Sequence, residues 1–364
     1  MTASQNDTTL QLLVLEGDGI GPEIVTATRK VLEVVDKRFN LGLSYKSRDV
    51  GFSALEQFGT TFPDEVYEQA LIVDGIILGP VSHNQYPPVT EGGLNPSGEL
   101  RKRLDLYANI RPARTISGIS PQCGQPVDLV IVRENTEGFY ADRSMHLGPG
   151  EFMPTEDMAL AVRKVTRHAS LRIAERAFEL ARGRNKKVTA VHKANVLRVS
   201  DGLFLRCIRD VASRYPDVAY GEKLVDAMAA LLVRDATAFD VIVTTNMFGD
   251  ILSDLASEIS GSLGLGASLN AGAEYAVAQA QHGSAPDIAG KDIANPSSLI
   301  GSTAMLLRWI AHQRQVAALS KAADLIEQGL LKTLSNSNTR TADLGGTLGT
   351  FAFTEAVIAN IRNH

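Results

Sequence analysis

The 364-residue chain has only two cysteines, one tryptophan and no long uninterrupted apolar run. Cys123 and Cys207 show no metal-ligand spacing, so we expect a reduced, cytoplasmic setting. The absence of any run of about 18 apolar residues argues against a membrane-spanning helix. Residues 1–9 are polar and lack the apolar core of a signal peptide, so none is expected there.

Aromatic residues are also scarce, and neither sign of charge is in large excess. Aromatics make up 6% of the chain, so aliphatic side chains must build the core. Hydrophobic residues at 44% and charged residues at 21% exclude an intrinsically disordered chain. The net charge of −5 argues against nucleic-acid binding on a broad basic surface. The length fits one large or two medium domains.

Short apolar, β-branched runs alternate with amphipathic stretches along the chain. The runs predict buried strands at residues 10–15, 75–78, 127–132, 188–191 and 241–245. Apolar stripes predict helices at residues 22–38, 158–182 and 224–233. This alternation indicates an α/β fold with a substantial parallel component, in which ligands gather at the carboxyl ends of strands.

A pair of carboxylates follows the last of these strands. Asp250 and Asp254 are four residues apart on a predicted helix and therefore project from one face. Two such carboxylates repel each other unless a cation lies between them, and a hard divalent ion takes oxygen ligands. A solvated helix face is the alternative, and the position after an apolar strand makes the two interpretations about equally good.

Arginines form a second set of candidates. Arg101 and Arg111 lie in the stretch at residues 100–112, and Arg133 follows the predicted strand at residues 127–132. Guanidinium groups bind carboxylates with two parallel hydrogen bonds. If the three converge, they suit a polycarboxylate. A solvent-exposed role is the alternative for each one alone. Tyr140 and Lys193 are possible acid and base groups, although a single Tyr or Lys is more often structural.

Two glycine-containing segments could approach a phosphate or nucleotide. Residues 17–22 join a strand to a helix, but Pro22 stands where the dinucleotide fingerprint requires its third glycine. A tight strand–helix turn is therefore the alternative. Residues 282–290 contain small side chains that admit a ligand to the backbone, with Asp287 as an anionic acceptor.

Six segments in this order resemble the β-decarboxylating dehydrogenases, the family of isocitrate, 3-isopropylmalate, homoisocitrate, tartrate and D-malate dehydrogenases. They are residues 17–23, 104–112, 132–140, 192–195, 246–254 and 282–296. The resemblance implies a two-domain isopropylmalate dehydrogenase-like α/β fold with a mixed sheet, distinct from the standard Rossmann fold. It places residues 1–112 together with 265–364 in a cofactor-side domain that contains both termini. Residues 113–264 would form an inserted substrate and dimerisation domain, with the active site in the cleft.

The resemblance also implies roles for the matching residues. The three arginines resemble those that bind the substrate carboxylates, and Asp250 and Asp254 resemble the metal ligands of one subunit. Asp226 resembles the ligand given by the partner subunit of a homodimer. Lys193, also from the partner, and Tyr140 resemble the catalytic pair. The residues that resemble the adenosine side of the family's cofactor site are His282, Gly283, Ser284, Ala285, Asp287, Ile288 and Asn295.

The implied activity is oxidative decarboxylation of a 2-hydroxy di- or tricarboxylate with NAD and Mg²⁺ or Mn²⁺. The charge of Asp287 should repel the 2′-phosphate of NADP, which predicts NAD preference. Polar Asn95 and Ser97, just before Arg101, predict a polar or small substituent on C3 of the substrate, as in isocitrate, homoisocitrate, tartrate or malate. The alternatives are 3-isopropylmalate, a non-catalytic regulatory subunit, or a scaffold that binds metal and nucleotide without turnover. Gln279, where the family often has Glu, is a departure within the cofactor segment.

Overall fold

The computed structural model describes residues 9–140, 145, 146, 148 and 150–363. Within them lie twelve strands: β1 Leu10–Leu15, β2 Leu43–Arg48, β3 Gly75–Leu78, β4 Ala108–Arg114, β5 Asp128–Glu134, β6 Glu151–Thr155, β7 Met158–Ala161, β8 Lys187–His192, β9 Ala219–Leu224, β10 Val241–Thr244, β11 Leu269–Ala271 and β12 Ala276–Gln279. The same residues contain eleven α-helices: α1 Gly21–Phe39, α2 Phe52–Phe58, α3 Asp64–Ala70, α4 Pro96–Arg103, α5 Arg167–Arg182, α6 Ser200–Ala212, α7 Val225–Asp235, α8 Asn246–Ser260, α9 Ser297–Arg314, α10 Ala317–Ser335 and α11 Thr350–Arg362. None of these described helices is both long and apolar enough to cross a bilayer.

The chain divides into two compact units, each with its own strands and helices. The first comprises residues 1–99 and 275–364, and the second residues 100–274. The second unit begins before the predicted insertion at residues 113–264 and ends after it.

The first unit is built on parallel strands in the order β2-β1-β3-β12. Helix α1 begins with Pro22 in its first turn, where proline's missing N–H costs nothing, and buries Ile24, Val31 and Val35. Helices α9, α10 and α11 pack with α1 to complete the core. The predicted strands at residues 10–15 and 75–78 are confirmed as β1 and β3.

The second unit contains strands of both directions, in the order β11-β4-β5-β10-β8-β9. Strand β4 is antiparallel to β11 and β5, whereas β5, β10, β8 and β9 run parallel. The carboxyl ends of β5, β10 and β8 therefore lie at one edge. The residues at or just after those ends are Arg133, Thr245 and Lys193, so the fold brings predicted site residues to a common edge.

The predicted helix at residues 158–182 is wrong in its first part. Met158–Ala161 forms β7, which pairs with β6 in an antiparallel hairpin, and helix α5 begins only at Arg167. Thr166 fixes that start because its side chain accepts a hydrogen bond from the Ala169 N–H, a typical N-cap. The apolar residues of this segment resemble the buried stripe of a helix in the sequence, but in the structure they are exposed on the hairpin.

Candidate active site

A cluster of arginines and aspartates occupies the second unit where β4 and β5 meet helix α8. Arg133 near the end of β5 forms a very short ion pair with Asp250. Arg111 of β4 lies 3.3 Å from carboxylate oxygens of both Asp250 and Asp254. The arginine side chains are buried, at 2% and 8% exposed, while those of the aspartates are 36% and 53% exposed. We call these four residues the arginine–aspartate cluster.

The cluster perturbs the titration of its own members. Burial and the neighbouring Arg133 lower the pKa of Arg111 to about 10, against the attraction of the aspartates. Burial alone would raise the pKa of Asp250, but the charges of Arg133, Arg111 and Arg101 outweigh it and hold the pKa below its ordinary value. Arg111 and Arg133 contact this carboxylate directly, and the charge of Arg101 also acts on it.

Tyr140 joins the cluster through its hydroxyl group. The hydroxyl donates to Oδ2 of Asp250 at 3.2 Å, and the Arg133 guanidinium carbon lies 5.7 Å from the centre of the tyrosine ring. A phenol held between a carboxylate and a cation has a fixed orientation. The predicted acid group is thus placed beside the predicted carboxylate-binding arginines.

Lys193 and Asp226 form a separate pair. The Lys193 amine lies 2.8 Å from Oδ2 of Asp226, and this hydrogen bond holds the pKa of the Asp226 carboxyl below its ordinary value. Within the described part of the chain, no group of three or more acidic, histidine or cysteine side chains could hold a metal ion. The structure therefore places Asp226 with Lys193, apart from Asp250 and Asp254.

Three residues without a predicted role complete the cluster. Asn246 accepts two hydrogen bonds from Arg133, at 3.0 and 2.6 Å, and Ser253 accepts one from Arg111 at 2.7 Å. Gly249 allows the Arg133 side chain to lie against helix α8, because a Cβ there would be 2.6 Å from Cγ of Arg133. The sequence signal that could have identified Asn246 is its position directly after the predicted strand at residues 241–245.

The two polar residues before Arg101 hydrogen-bond within the first unit. The Asn95 side chain accepts from the Gly98 N–H at 3.2 Å and so caps helix α4. The buried Ser97 hydroxyl donates to the side-chain oxygen of Gln279 at 2.8 Å. Gln279, noted in the sequence only as a departure from the family, is thus the partner of a predicted substrate residue.

The two glycine-containing segments of the first unit contact each other directly. The Ile20 N–H donates to the Ser284 carbonyl at 2.8 Å, and a Cβ at Gly19 would lie 2.0 Å from that same oxygen. The hydroxyl groups of Ser82 and Ser284 are 2.7 Å apart. The segment at residues 17–22 is therefore a turn that supports the predicted cofactor loop, as its alternative interpretation stated.

The predicted cofactor loop, residues 282–290, offers polar groups and open space. Burial lowers the pKa of His282, its Nδ1 donates to the Gly283 carbonyl at 3.0 Å, and its buried Nε2 makes no hydrogen bond. A Cβ at Gly283 would meet nothing within 4 Å. Asp287 is exposed, whereas Asn295 is buried and donates to Asp343 at 2.9 Å. Ala285, Asp287 and Ile288 follow in one short turn.

Comparison with known proteins identifies the class of this chain. Residues 11–361 match the family model described as isocitrate/isopropylmalate dehydrogenase. The chain belongs to the isocitrate/isopropylmalate dehydrogenase family, and it is therefore an oxidoreductase of the dehydrogenase type. This confirms both the resemblance and the predicted fold class.

Individual relatives carry different names. The chain is 41% identical over 349 residues to 3-isopropylmalate dehydrogenase of Archaeoglobus fulgidus, covering 95% of this chain and 98% of that protein. It is 41% identical over 358 residues to isocitrate/homoisocitrate dehydrogenase of Thermus thermophilus, covering 97% and 99%. The crystal structure of isocitrate dehydrogenase from Methylococcus capsulatus matches with a TM-score of 0.86 and 38% identity, over 97% of this chain and 99% of that one.

Proposed function

We propose that this protein catalyses the NAD- and divalent-metal-dependent oxidative decarboxylation of a 2-hydroxy acid that carries a β-carboxylate. The observation that supports this most directly is the convergence of Arg111 and Arg133 on Asp250, with the Tyr140 hydroxyl on the same carboxylate and the charge of Arg101 acting on it. Buried arginines with half-exposed aspartates suit a substrate that presents several carboxylates. The names of the relatives, which mention isocitrate, homoisocitrate and isopropylmalate, fit this substrate class.

The donor set fits a hard divalent ion. Asp250 and Asp254 supply carboxylate oxygens from adjacent turns of α8, which Mg²⁺ and Mn²⁺ accept. We propose Asp226 of a second copy as the third ligand, since within one chain it pairs with Lys193 instead. Bound there, the ion would supply Lewis-acid chemistry toward the substrate hydroxyl and toward negative oxygen, and NAD would supply the acceptor for the hydride.

Lys193 and Tyr140 would handle the protons. Lys193, supplied with Asp226 by the second copy, takes the proton from the 2-hydroxyl at its Nζ atom. Tyr140, whose hydroxyl is oriented by Asp250, delivers a proton to C3 after carbon dioxide leaves. The arginines hold the remaining carboxylates throughout, so each group keeps a separate role.

A homodimer is part of this proposal. Hairpin β6–β7 carries exposed apolar side chains, and Ile251, next to Asp250, is 59% exposed. The hairpin residues concerned are Phe152, Met153, Met158 and Leu160. A second copy would cover such a surface. The free thiols of Cys123 and Cys207 are compatible with the cytoplasmic setting that we propose.

The cofactor loop fits a dinucleotide. The free Nε2 of His282 can accept a hydrogen bond from an amine such as that of adenine, and open space at Gly283 admits a ring system. The exposed Asp287 carboxylate can accept from both ribose hydroxyls. The negative charge of Asp287 would repel the 2′-phosphate of NADP, so this residue supports NAD over NADP.

For the substituent on C3 we propose a polar or small group. Ser97 and Gln279 form a buried polar pair that offers hydrogen-bonding atoms and little apolar surface. An isopropyl group gains about 0.8 kcal/mol per buried CH₂ only against apolar surface. The alternative of 3-isopropylmalate is kept open by the relative of that name.

The test is a substrate panel of isocitrate, homoisocitrate, 3-isopropylmalate, D-malate and tartrate with NAD, before and after chelation. We expect reduced-cofactor absorbance with at least one polar member, loss of turnover after chelation, and recovery with Mg²⁺. Turnover that persists after complete metal removal contradicts the metal assignment. A clear maximum for 3-isopropylmalate contradicts the proposed substituent, whereas Ser97→Leu that raises activity on it supports the proposal. No turnover with any member favours a regulatory subunit or scaffold.

A further inference from the structure

A buried ion pair, Arg163 with Asp201, lies outside the arginine–aspartate cluster. Asp201, the second residue of α6, is fully buried, and the Arg163 side chain is 8% exposed. Nη1 of Arg163 donates to Oδ1 of Asp201 at 2.6 Å. A buried ion pair is a weak source of stability compared with apolar side chains of the same size, so its use calls for a more specific explanation.

The second oxygen of Asp201 holds the backbone of Lys193. The Lys193 N–H donates to Oδ2 of Asp201 at 2.5 Å. The carbonyl group of the same residue accepts from the Leu197 N–H at 2.8 Å. Both polar groups of the Lys193 main chain are therefore hydrogen-bonded. The backbone of Lys193 is held in place, and this fixes the point from which its side chain extends.

Arg163 extends the same contact to the start of α8. Its Nη2 donates to the hydroxyl of Thr245, the N-cap residue of α8, at 3.1 Å. Its guanidinium carbon lies 5.5 Å from the ring of Phe248 and 5.9 Å from that of Phe139. Phe248 precedes Asp250 by two residues, and Phe139 precedes Tyr140. The Arg163 guanidinium therefore contacts the segments that carry Asp250 and Tyr140, and Asp201 connects it to Lys193.

We propose that Arg163 and Asp201 are positioning residues for the oxidation step. The pair fixes the Lys193 backbone relative to the start of α8, so that the amine is presented at a set place and angle. The inference rests on the proposed function, because it takes Lys193 as the group that accepts the hydroxyl proton. Neither residue needs to touch the substrate.

Two double variants test this with matched volume. Arg163→Met with Asp201→Asn removes both charges but keeps a side-chain oxygen that can accept from the Lys193 N–H. Arg163→Met with Asp201→Leu removes the acceptor as well. Neither variant leaves a single buried charge, which would endanger folding. The two proteins therefore differ mainly in whether the Lys193 backbone is held.

The kinetic measurement uses the member of the panel that the wild-type enzyme turns over best, with and without deuterium at C2. For the Leu double variant we expect kcat to fall by about tenfold or more with KM within about threefold, and a larger deuterium isotope effect on kcat. The Asn double variant, which keeps the acceptor, should retain a kcat at least about threefold above that of the Leu double variant. A merely structural role would lower the folded fraction and leave the isotope effect unchanged.

Hydrogen exchange of the peptide that contains Lys193 supplies a measurement without turnover. We expect protection of that amide to be lost in the Leu double variant and retained in the Asn double variant. Unchanged protection in both, or lost protection with an unchanged isotope effect, overturns the inference while the proposed function stands. A wild-type enzyme that turns over no member of the panel instead overturns the proposed function, and this inference with it.

Discussion

Replacing Gly249 by alanine should displace Arg133 without changing any charge. A Cβ at this position would lie 2.6 Å from Cγ, 2.7 Å from Cβ and 3.2 Å from Cα of Arg133. Carbon atoms normally contact at about 3.5–4.0 Å, so the two must separate by about 1 Å. The backbone of Arg133 is held in the sheet between β4 and β10, which leaves the side chain or the helix to move.

The expected cost has a structural and a functional part. Overpacking of this kind costs about 1–3 kcal/mol, while alanine gains up to about 1 kcal/mol over glycine inside a helix. The net loss of stability should therefore be about 0–3 kcal/mol. A displaced Arg133 would forfeit its proposed charge-assisted hydrogen bond to the substrate, worth about 1.5–3 kcal/mol, which corresponds to about a 10- to 150-fold drop in kcat/KM.

Gly202→Ala in α6 is the matched control. Its Cβ would meet only the end of the flexible Arg206 side chain, at 3.6 Å. We expect kcat/KM within about twofold of wild type and an unchanged or slightly higher Tm. The assay is initial rates with the preferred hydroxy acid, alongside thermal unfolding. A Gly249→Ala enzyme with kcat/KM within about threefold of wild type would refute the reasoning about Arg133.

Three further predictions concern pH, cofactor and proton transfer. Because the pKa of Asp250 is held low in the folded state, its stabilisation is present above its unfolded pKa of about 3.9 and is lost as pH falls through the folded value. The difference in urea stability between wild type and Asp250→Asn should therefore shrink below about pH 4, and a constant difference would contradict this. Asp287→Lys should move the ratio of kcat/KM values from NAD toward NADP, and a wild-type preference for NADP would reject the proposed role of Asp287. Lys193→Met should abolish oxidation of the hydroxy acid, whereas Tyr140→Phe should retain some hydride transfer in a rapid-mixing experiment; normal turnover by Lys193→Met would show that its assignment is wrong.

Local patterns predicted the parts of the fold in which one segment determines its own structure. The apolar run before Asn246 is strand β10, and the Asp250–Asp254 spacing lies on helix α8 as expected. Here strand length, β-branched residues and the helical period all agree. Strand β7 was assigned to a helix because its apolar run, Met158–Ala161, is too short for its period to distinguish a strand from the first turn of a helix.

These local patterns could not predict contacts between segments that are distant in the sequence. The Arg163–Asp201 pair joins residues 38 positions apart, and the Ser97–Gln279 bond joins residues 182 positions apart. No periodicity encodes such a pairing, because it depends on how separate elements pack. The same holds for Gly19, whose closeness to Ser284 is visible only once both turns are placed.

The attachment of the cofactor loop has a consequence for how cofactor preference can change over time. The loop is fixed at Ser284 by a main-chain hydrogen bond from Ile20 and by the hydroxyl of Ser82, all before the exposed turn that contains Asp287. Main-chain attachment does not depend on which side chains follow. Substitutions at positions 287 and 288 can therefore accumulate with little cost to folding. If the loop binds a dinucleotide as we propose, a descendant can exchange one dinucleotide for another while it keeps the same scaffold.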